Sequence, residues 1–564
     1  MAFDSTTIHE VETGGSDTAN GGSFDPGNAN FPTNLTATNA NTASPVISSA
    51  SYTWVAGDVG AWALIKSGTN WTPMLAKVAS VSGGSATLNC AVGAAMLVVN
   101  NIPTTPNTVA GCATVASPTG GTWGMDYSQQ SSPQIAFTDL VIDGTTNTNC
   151  TSSANPFGKN HIGNSISITS GTGFTVQRVQ IVNVSGTAAT CDKSLGTLSS
   201  TGGHGGLGGA YASMATACSL TSSTNGVFCQ TATYTITSAG KNVSGGQFSP
   251  TGGGASSYGW ICGYGTNRCL QNTDTGPTFQ PNANSLTCAY IGTIGERVRN
   301  LQFANPGNYT GCVAIQCDYN AQLIERLNIS GFAKGVNITN GGNTYLDITI
   351  TNASGGYGFA GGGGSSSFEN CTVIGGSQGI TLAGTNVALK CITTGQSGTG
   401  AFGFNLANAA EITIRDCIVD NVTGTSSAGM MGVSGSLQSI TDCAVTNCTL
   451  GLDPGSASVP VVGMRIANLA VYGNTSNYSS SVFGSTNIVN LIQCSVNPWT
   501  NSSSKIYTTN NTSGGGALLR GQGYPQTFPG LTGSSSSDVG AFQAASATPG
   551  ALFLPSDFGG GYSQ

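Results

Sequence analysis

The sequence of 564 residues predicts an all-β fold, a right-handed parallel β-helix preceded by two related small β modules. Three observations carry this expectation. Residues 301–496 repeat a short apolar motif every 20–26 residues. Residues 59–89 and 162–192 align without a gap at an offset of 103, with eleven of 31 positions identical. Glycine contributes 83 residues while charged side chains make up only 7%, where an ordinary soluble domain carries about 25%. Such a composition suits many short strands joined by tight turns.

The front of the chain comes first. Each copy of the offset repeat reads as alternating strands broken by Gly turns, ALI, KVASV and ATL against SISI, RVQIVNV and ATC. Trp71 aligns with Phe174 and Trp54 with Phe157, which marks these rings as core anchors rather than ligand platforms. The reading places an N-terminal β module at 1–125 and its second copy at 126–192. Residues 193–290, rich in Gly and Ser with weak periodicity, form an insertion or begin or cap the helix.

The ladder at 291–499 is the β-helix. Aligning NLQFAN, RLNISG, DITITN, NCTVIG, KCITTG, DCIVDN, DCAVTN, NLAVYG and QCSVNP sets an anchor at Leu301, Leu327, Ile348, Cys371, Cys391, Cys417, Cys443, Leu469 and Cys494. A second apolar residue follows two places on, usually Val or Ile, so both face the interior of one strand. Four places past the anchor, eight of nine positions are Gly or Asn, the residues that accept a left-handed backbone. A strand, a left-handed corner and a return describe one coil stacked on the next. The residue before each anchor is polar (Asn300, Arg326, Asp347, Asn370, Lys390, Asp416, Asp442, Asn468, Gln493) and reads as a solvated outer face. Residues 500–564 read as a capping and assembly tail over the last rung, which otherwise exposes a strand edge.

Seventeen cysteines in a chain with three histidines and no CxxC pair point to buried thiols rather than a zinc cluster or a disulfide framework. Five of them occupy the anchor column, aligned by parallel stacking and reduced. A net charge of −7 with scattered Lys and Arg lacks the basic face that nucleic acid requires. The longest apolar run, residues 91–99, is too short to span a bilayer, so no membrane partner is expected. The opening segment shows neither a basic nor an apolar signal region, which reads as synthesis in a host cytoplasm without a signal peptide.

Several segments resemble a known group. EVETGGSDTANGGSF, DYSQQ at 126–130, the WVAGDVGAW…SGTNWT and SGTGFTVQRVQIV units, and the closing GGALLRGQGYPQTFPG…DVGAFQ look like uncharacterised proteins of tailed-phage and environmental viral sequences and some planctomycete genomes. The DVGAW-type unit also resembles β modules common in phage tail and adaptor proteins. The resemblance implies a virion structural protein, and phage β-helix spikes are commonly threefold.

Catalysis is the competing expectation. Glycoside hydrolysis needs two carboxylates about 5–9.5 Å apart. Asp416 and Asp442, one rung apart with Asp420 on the same coil, are the best pair in the sequence, flanked by Lys390 and Arg415. Two exposed carboxylates on a polar face are the simpler reading, because no histidine supports them. The GHG at 203–205 is remote from them in sequence. GGSQG at 375–379 matches a serine-hydrolase pattern but no histidine follows His204, so it reads as a helix corner. The sequence thus assigns no catalytic, cofactor-binding or metal residue. It predicts a phage virion structural or attachment protein (tail fibre, spike or capsid-surface component), forming a homotrimer and contacting other virion proteins and a host surface glycan. The alternative is a virion-borne polysaccharide depolymerase. A bacterial surface adhesin is a third reading, weakened by the opening segment.

Overall fold

The computed structural model describes residues 7–520 apart from 28, 41, 93–97, 100–101, 104–117, 220–224, 238–259, 266–274, 292–296, 353–354, 362–363, 407–410, 433–437, 454–464 and 479–487. The chain is all-β, a parallel β-helix preceded by two related small β modules, and divides into two units, Met1–Ala360 and Gly361–Gln564.

In the first unit the repeat becomes two closed six-stranded antiparallel barrels. The strands Met74–Ser82 and Ser85–Leu88 recur at the same offset of 103 as Gln177–Ser185 and Ala188–Cys191, and the strand order is the same. Trp71 and Phe174 occupy equivalent places, each lying over two glycines. A Cβ added at Gly68 or Gly121 would come 2.5 or 2.7 Å from Trp71, and one at Gly171 would come 2.8 Å from Phe174. The ring needs a flat floor, and glycine supplies it. Trp71 is buried and Phe174 half-buried.

The barrels begin and end elsewhere than 1–125 and 126–192 suggest. The first runs from Leu35–Thr38 to Thr119–Asp126, and the second closes on Thr201–Leu207. Thr7–Val11 belongs to neither: it pairs in parallel with Asn225–Gln230, which pairs with Trp260–Tyr264. Both barrels are therefore inserted after a first strand of the helical sheet, and residues 193–290 contain the early rungs. The DYSQQ segment locks this junction. Tyr127 donates to Asp58 of the first barrel at 2.6 Å and accepts from Asn160 of the second at 2.8 Å. Gln129 accepts from Trp62 Nε1 and donates to Tyr264 OH at 3.0 Å, while Tyr264 reaches Glu10 on the first strand.

Further rungs of the first unit stack in register, Leu301 beside Leu327 beside Ile348, with Phe303, Ile329 and Ile350 as the second column. In the second unit Val373, Thr393, Val419, Val445 and Val471 continue rung by rung. Cys371, Cys391, Cys417 and Cys443 are each fully buried, and none of the described cysteines is in a disulfide.

Most of these coils have two left-handed corners. Gly331, Gly375, Gly395, Asn421, Asn447 and Gly473 take φ of 54–77° four places past their anchors, as the Gly/Asn column predicts. Asn305 and Asn352 do not. The Asn305 side chain instead holds the turn, donating to Tyr309 O and Gly331 O. The second corner is the residue before the anchor, where Asn300, Arg326, Asp347, Asn370, Lys390, Asp416, Asp442 and Asn468 all have φ of 52–56°. That column is a row of bends rather than a uniformly solvated face, and Asp416 and Asp442 within it are buried.

The last rung is also shifted from expectation. Leu469 pairs with Leu491, and Asn490 takes the left-handed corner at φ 61°, so Leu491 rather than Cys494 is the anchor. Asn490-Leu491 repeats Asn468-Leu469, and Asn490 Nδ2 donates to Asn468 Oδ1 at 2.8 Å. Cys494 is half-buried and Val496 lies 37% exposed, outside the ladder.

Candidate functional site

The carboxylates singled out by sequence lie at the two corners that bracket short strands of the second unit, Asp416 and Asp442 at one and Asp420 beside the other at Asn421. Side chains alternate along Ile392–Thr394, Ile418–Asp420 and Ala444–Thr446, so Cys391 and Thr393 face inward while Ile392 and Thr394 face out. Outward apolar residues need cover. The hairpin formed by Trp499–Asn501 and Ile506–Thr509 provides it, packing Trp499 and Tyr507 with Leu519 on Ile392, Ile418, Ala444 and Ala470. The described tail thus covers a flank of several rungs, and the FPG…DVGAFQ segment lies outside the described residues.

Asp420 fastens this hairpin. Its Oδ1 accepts from Thr446 Oγ1 and Asn447 Nδ2, each at 2.8 Å, and its Oδ2 accepts from Tyr507 OH at 2.8 Å. Tyr507 also shares a hydrogen bond with Thr394 Oγ1 at 2.8 Å, and Trp499 Nε1 donates to Thr446 Oγ1 at 3.2 Å. Burial, with the Asp420 carboxylate beside it, pushes the Tyr507 phenol far up. Both side chains are buried, and the arrangement is a latch.

Asp416 and Asp442 sit at the corner that precedes the anchors, one rung apart as the spacing predicts. They are not exposed: Asp416 is 6% and Asp442 0% accessible. Packing of successive corners covers them, and a single half-exposed Arg415 serves both, with Nε 3.5 Å from Asp416 Oδ2 and 3.9 Å from Asp442 Oδ2. Asn468 donates to Asp442 Oδ1 at 2.8 Å. Asp416 Oδ1 has no hydrogen-bond partner. Burial pushes the Asp416 carboxyl up to about 6; Arg415 and Lys390 pull it down and Asp442 pushes it up. A carboxyl in that range can donate a proton, but inverting or retaining chemistry needs a second carboxylate open to water or sugar. Asp442 is enclosed and Asp420 is latched to Tyr507.

The remaining motifs are structural. Gly203, His204 and Gly205 lie on the closing strand of the second barrel, and Gly375 and Gly376 are left-handed corner residues at φ 71° and 78°. Among the described residues no cluster of three or more His, Cys, Asp or Glu is arranged to hold a metal ion. On the first unit the outward positions are polar, with Gln302, Asn328 and Thr349 side by side on adjacent rungs, and Asn328 exposed. Sequence reasoning missed the Tyr507 latch and this polar flank. Both were signalled by the residue after each anchor, which changes from Gln302, Asn328 and Thr349 to Ile392, Ile418 and Ala444.

No family model matches the chain, and no curated protein does. Among solved structures it is similar to the pectate lyase Pel9A, at 14% identity over 60% of this chain and 92% of that one, with a TM-score of 0.39. Geobacillus virus E2 ORF18 matches at 12% identity over 50% and 56%, with a TM-score of 0.29. Tailspike protein 3 of bacteriophage CBA120 matches at 9% identity over 47% and 56%, with a TM-score of 0.21. Likenesses this slight assign no activity to the chain.

Proposed function

We propose that this chain is a virion structural and attachment protein, a tail fibre, spike or capsid-surface component. It is made in the host cytoplasm, assembles as a homotrimer with other virion proteins, and contacts a host surface glycan through its helix flank. The observation that carries the non-catalytic part is the fate of the three carboxylates. Asp442 is enclosed beneath Arg415 and Asn468, and Asp420 is committed to Tyr507, Thr446 and Asn447. The exposed Asn328 and the half-buried Gln302 and Thr349 support a polar flank that meets sugar hydroxyls.

A depolymerase is the second reading, and one observation favours it: the Asp416 carboxyl near 6 has the acidity of a general acid. It lacks an accessible partner carboxylate. Attachment is tested by competition. Host cells preincubated with the purified protein should adsorb fewer virions, and antibodies to it should label intact particles. Unchanged adsorption together with unlabelled particles would defeat the reading.

A further inference from the structure

The second barrel carries a pocket of about 410 Å³ beside the turn that joins Ile135–Ile142 to Asn149–Thr151. Thr151 and Thr201 stand on either side of Val141, on three neighbouring strands. These three line the pocket together with Asp143, Ser199 and the buried Cys150. Asp143 fixes the turn: its Oδ1 accepts from Thr145 N at 2.7 Å, from Thr146 N at 2.9 Å and from the Thr145 hydroxyl. These bonds, the Thr145 hydroxyl foremost, hold the carboxyl below its usual range. All three end on Oδ1, which leaves Oδ2 open, and no Lys, Arg or His among the described residues pairs with it. The first barrel supplies the comparison. Its register is the same, Val46 with Thr87 and Ile47 with Ala86 against Asn149 with Thr190 and Cys150 with Ala189. There Val46 faces Thr38, whereas Asn149 O accepts from Asp143 N at 2.9 Å. The barrel therefore closes without a carboxylate at this place. An asparagine Oδ1 would accept the same turn bonds, so neither strand pairing nor the turn needs the charge of Asp143.

We propose that this pocket is a saccharide subsite for an amino sugar that carries a free ammonium group. The inference rests on the attachment reading above for its use, and adds a contact on the barrel to the one on the helix flank. The open Oδ2 of Asp143 accepts the ammonium in a charge-assisted hydrogen bond. Because Oδ1 is already tied to the turn, the carboxylate is held before binding and costs less to order. Thr151, Ser199 and Thr201 are exposed, and a hydroxyl both donates and accepts, as sugar hydroxyls require. The volume falls at the lower end of small-ligand sites, enough for about one or two pyranose rings. Acetylation of the sugar nitrogen removes its charge, so the pocket discriminates between the free and the acetylated amine. A single carboxylate makes a poor calcium site, which takes about 6–8 oxygen ligands.

The test is calorimetric titration of the full chain with tetraglucosamine and with its fully N-acetylated counterpart, at mildly acidic pH where the amine is protonated. The proteins are the native chain, Asp143→Asn and Thr201→Val, and thermal melts confirm that each variant is folded. The native protein should bind the free-amine tetramer about fivefold more tightly than the acetylated one, a preference that shrinks as salt is raised. Asp143→Asn keeps the turn acceptor and should erase the preference while leaving the acetylated tetramer unaffected. Thr201→Val, an exposed strand position, should weaken both ligands severalfold. Equal affinity of the native protein for the two tetramers, or a preference that persists in folded Asp143→Asn, would overturn the subsite. Host surface polysaccharide, titrated in parallel, reads the attachment claim separately. If it binds and tetraglucosamine does not, attachment stands and the subsite is overturned. If neither binds, the subsite and the attachment reading both fail.

Discussion

Asp416 keeps its carboxyl inside a rung corner, where burial outweighs the pull of Arg415 and Lys390. Its folded pKa of about 6 lies above the ordinary value of 3.8, so the protonated form favours the fold. The stability it contributes is fully present below about pH 4 and is lost as pH rises through about 6, by up to roughly 3 kcal/mol. Asp416→Asn removes this dependence, so the native-minus-variant difference in unfolding midpoint should fall steadily between those two pH values. A flat difference would contradict it. Buried His9 and His161, held down at about 4, act in the opposite sense, losing stability as pH falls from about 6.5 through 4. The comparison with the variant separates the two effects. At the latch, Tyr507→Phe leaves Asp420 Oδ2 buried without its donor and should cost about 1–3 kcal/mol in denaturant unfolding. Nothing in an Asp letter marks it as enclosed, which is why Asp416, Asp442 and Asp420 read as surface groups in the sequence. The bend at these positions was missed, because the column reads as a solvated face, although Asn and Asp fill most of it and are the non-glycine residues that best tolerate left-handed backbone.

The rung as an element depends on its corners, and two glycines separate backbone strain from crowding. A Cβ at Gly395 would meet nothing nearer than 3.8 Å, so Gly395→Ala should cost only the left-handed penalty at φ 73°, about 1–2 kcal/mol. At Gly171 a Cβ would fall 2.8 Å from both the Gly203 backbone and the Phe174 ring, so Gly171→Ala should destabilise the second barrel by clearly more. Denaturant unfolding of the two variants checks the order, and equal losses would contradict it. The anchor columns were readable because period-two alternation and a 20–26-residue spacing repeat many times. The last rung was misread because QCSV alternates as well as NLIQ. Only the pairing of Asn468 with Asn490 decides between them. The hairpin of Trp499–Asn501 and Ile506–Thr509 occurs once, so no periodicity announces it.

For the whole molecule, the insertion of both barrels behind Thr7–Val11 lay beyond sequence reasoning, since a single five-residue strand carries no repeat. The barrels themselves were legible through their offset, but their closing strands, Thr119–Asp126 and Thr201–Leu207, lie outside the repeat. The sparse charge of 7% leaves little repulsion between copies, and the proposed trimer should give a scattering mass near three times 56.4 kDa, about 169 kDa. A stable monomer at micromolar concentration would contradict that assembly. The central claim is that the helix holds glycan without cleaving it, and the size distribution of purified host surface polysaccharide after prolonged incubation with the protein tests this most directly. The account predicts polymer that co-elutes with the protein and keeps its full length, with no new reducing ends or unsaturated sugars. Progressive shortening that disappears in Asp416→Asn would contradict it.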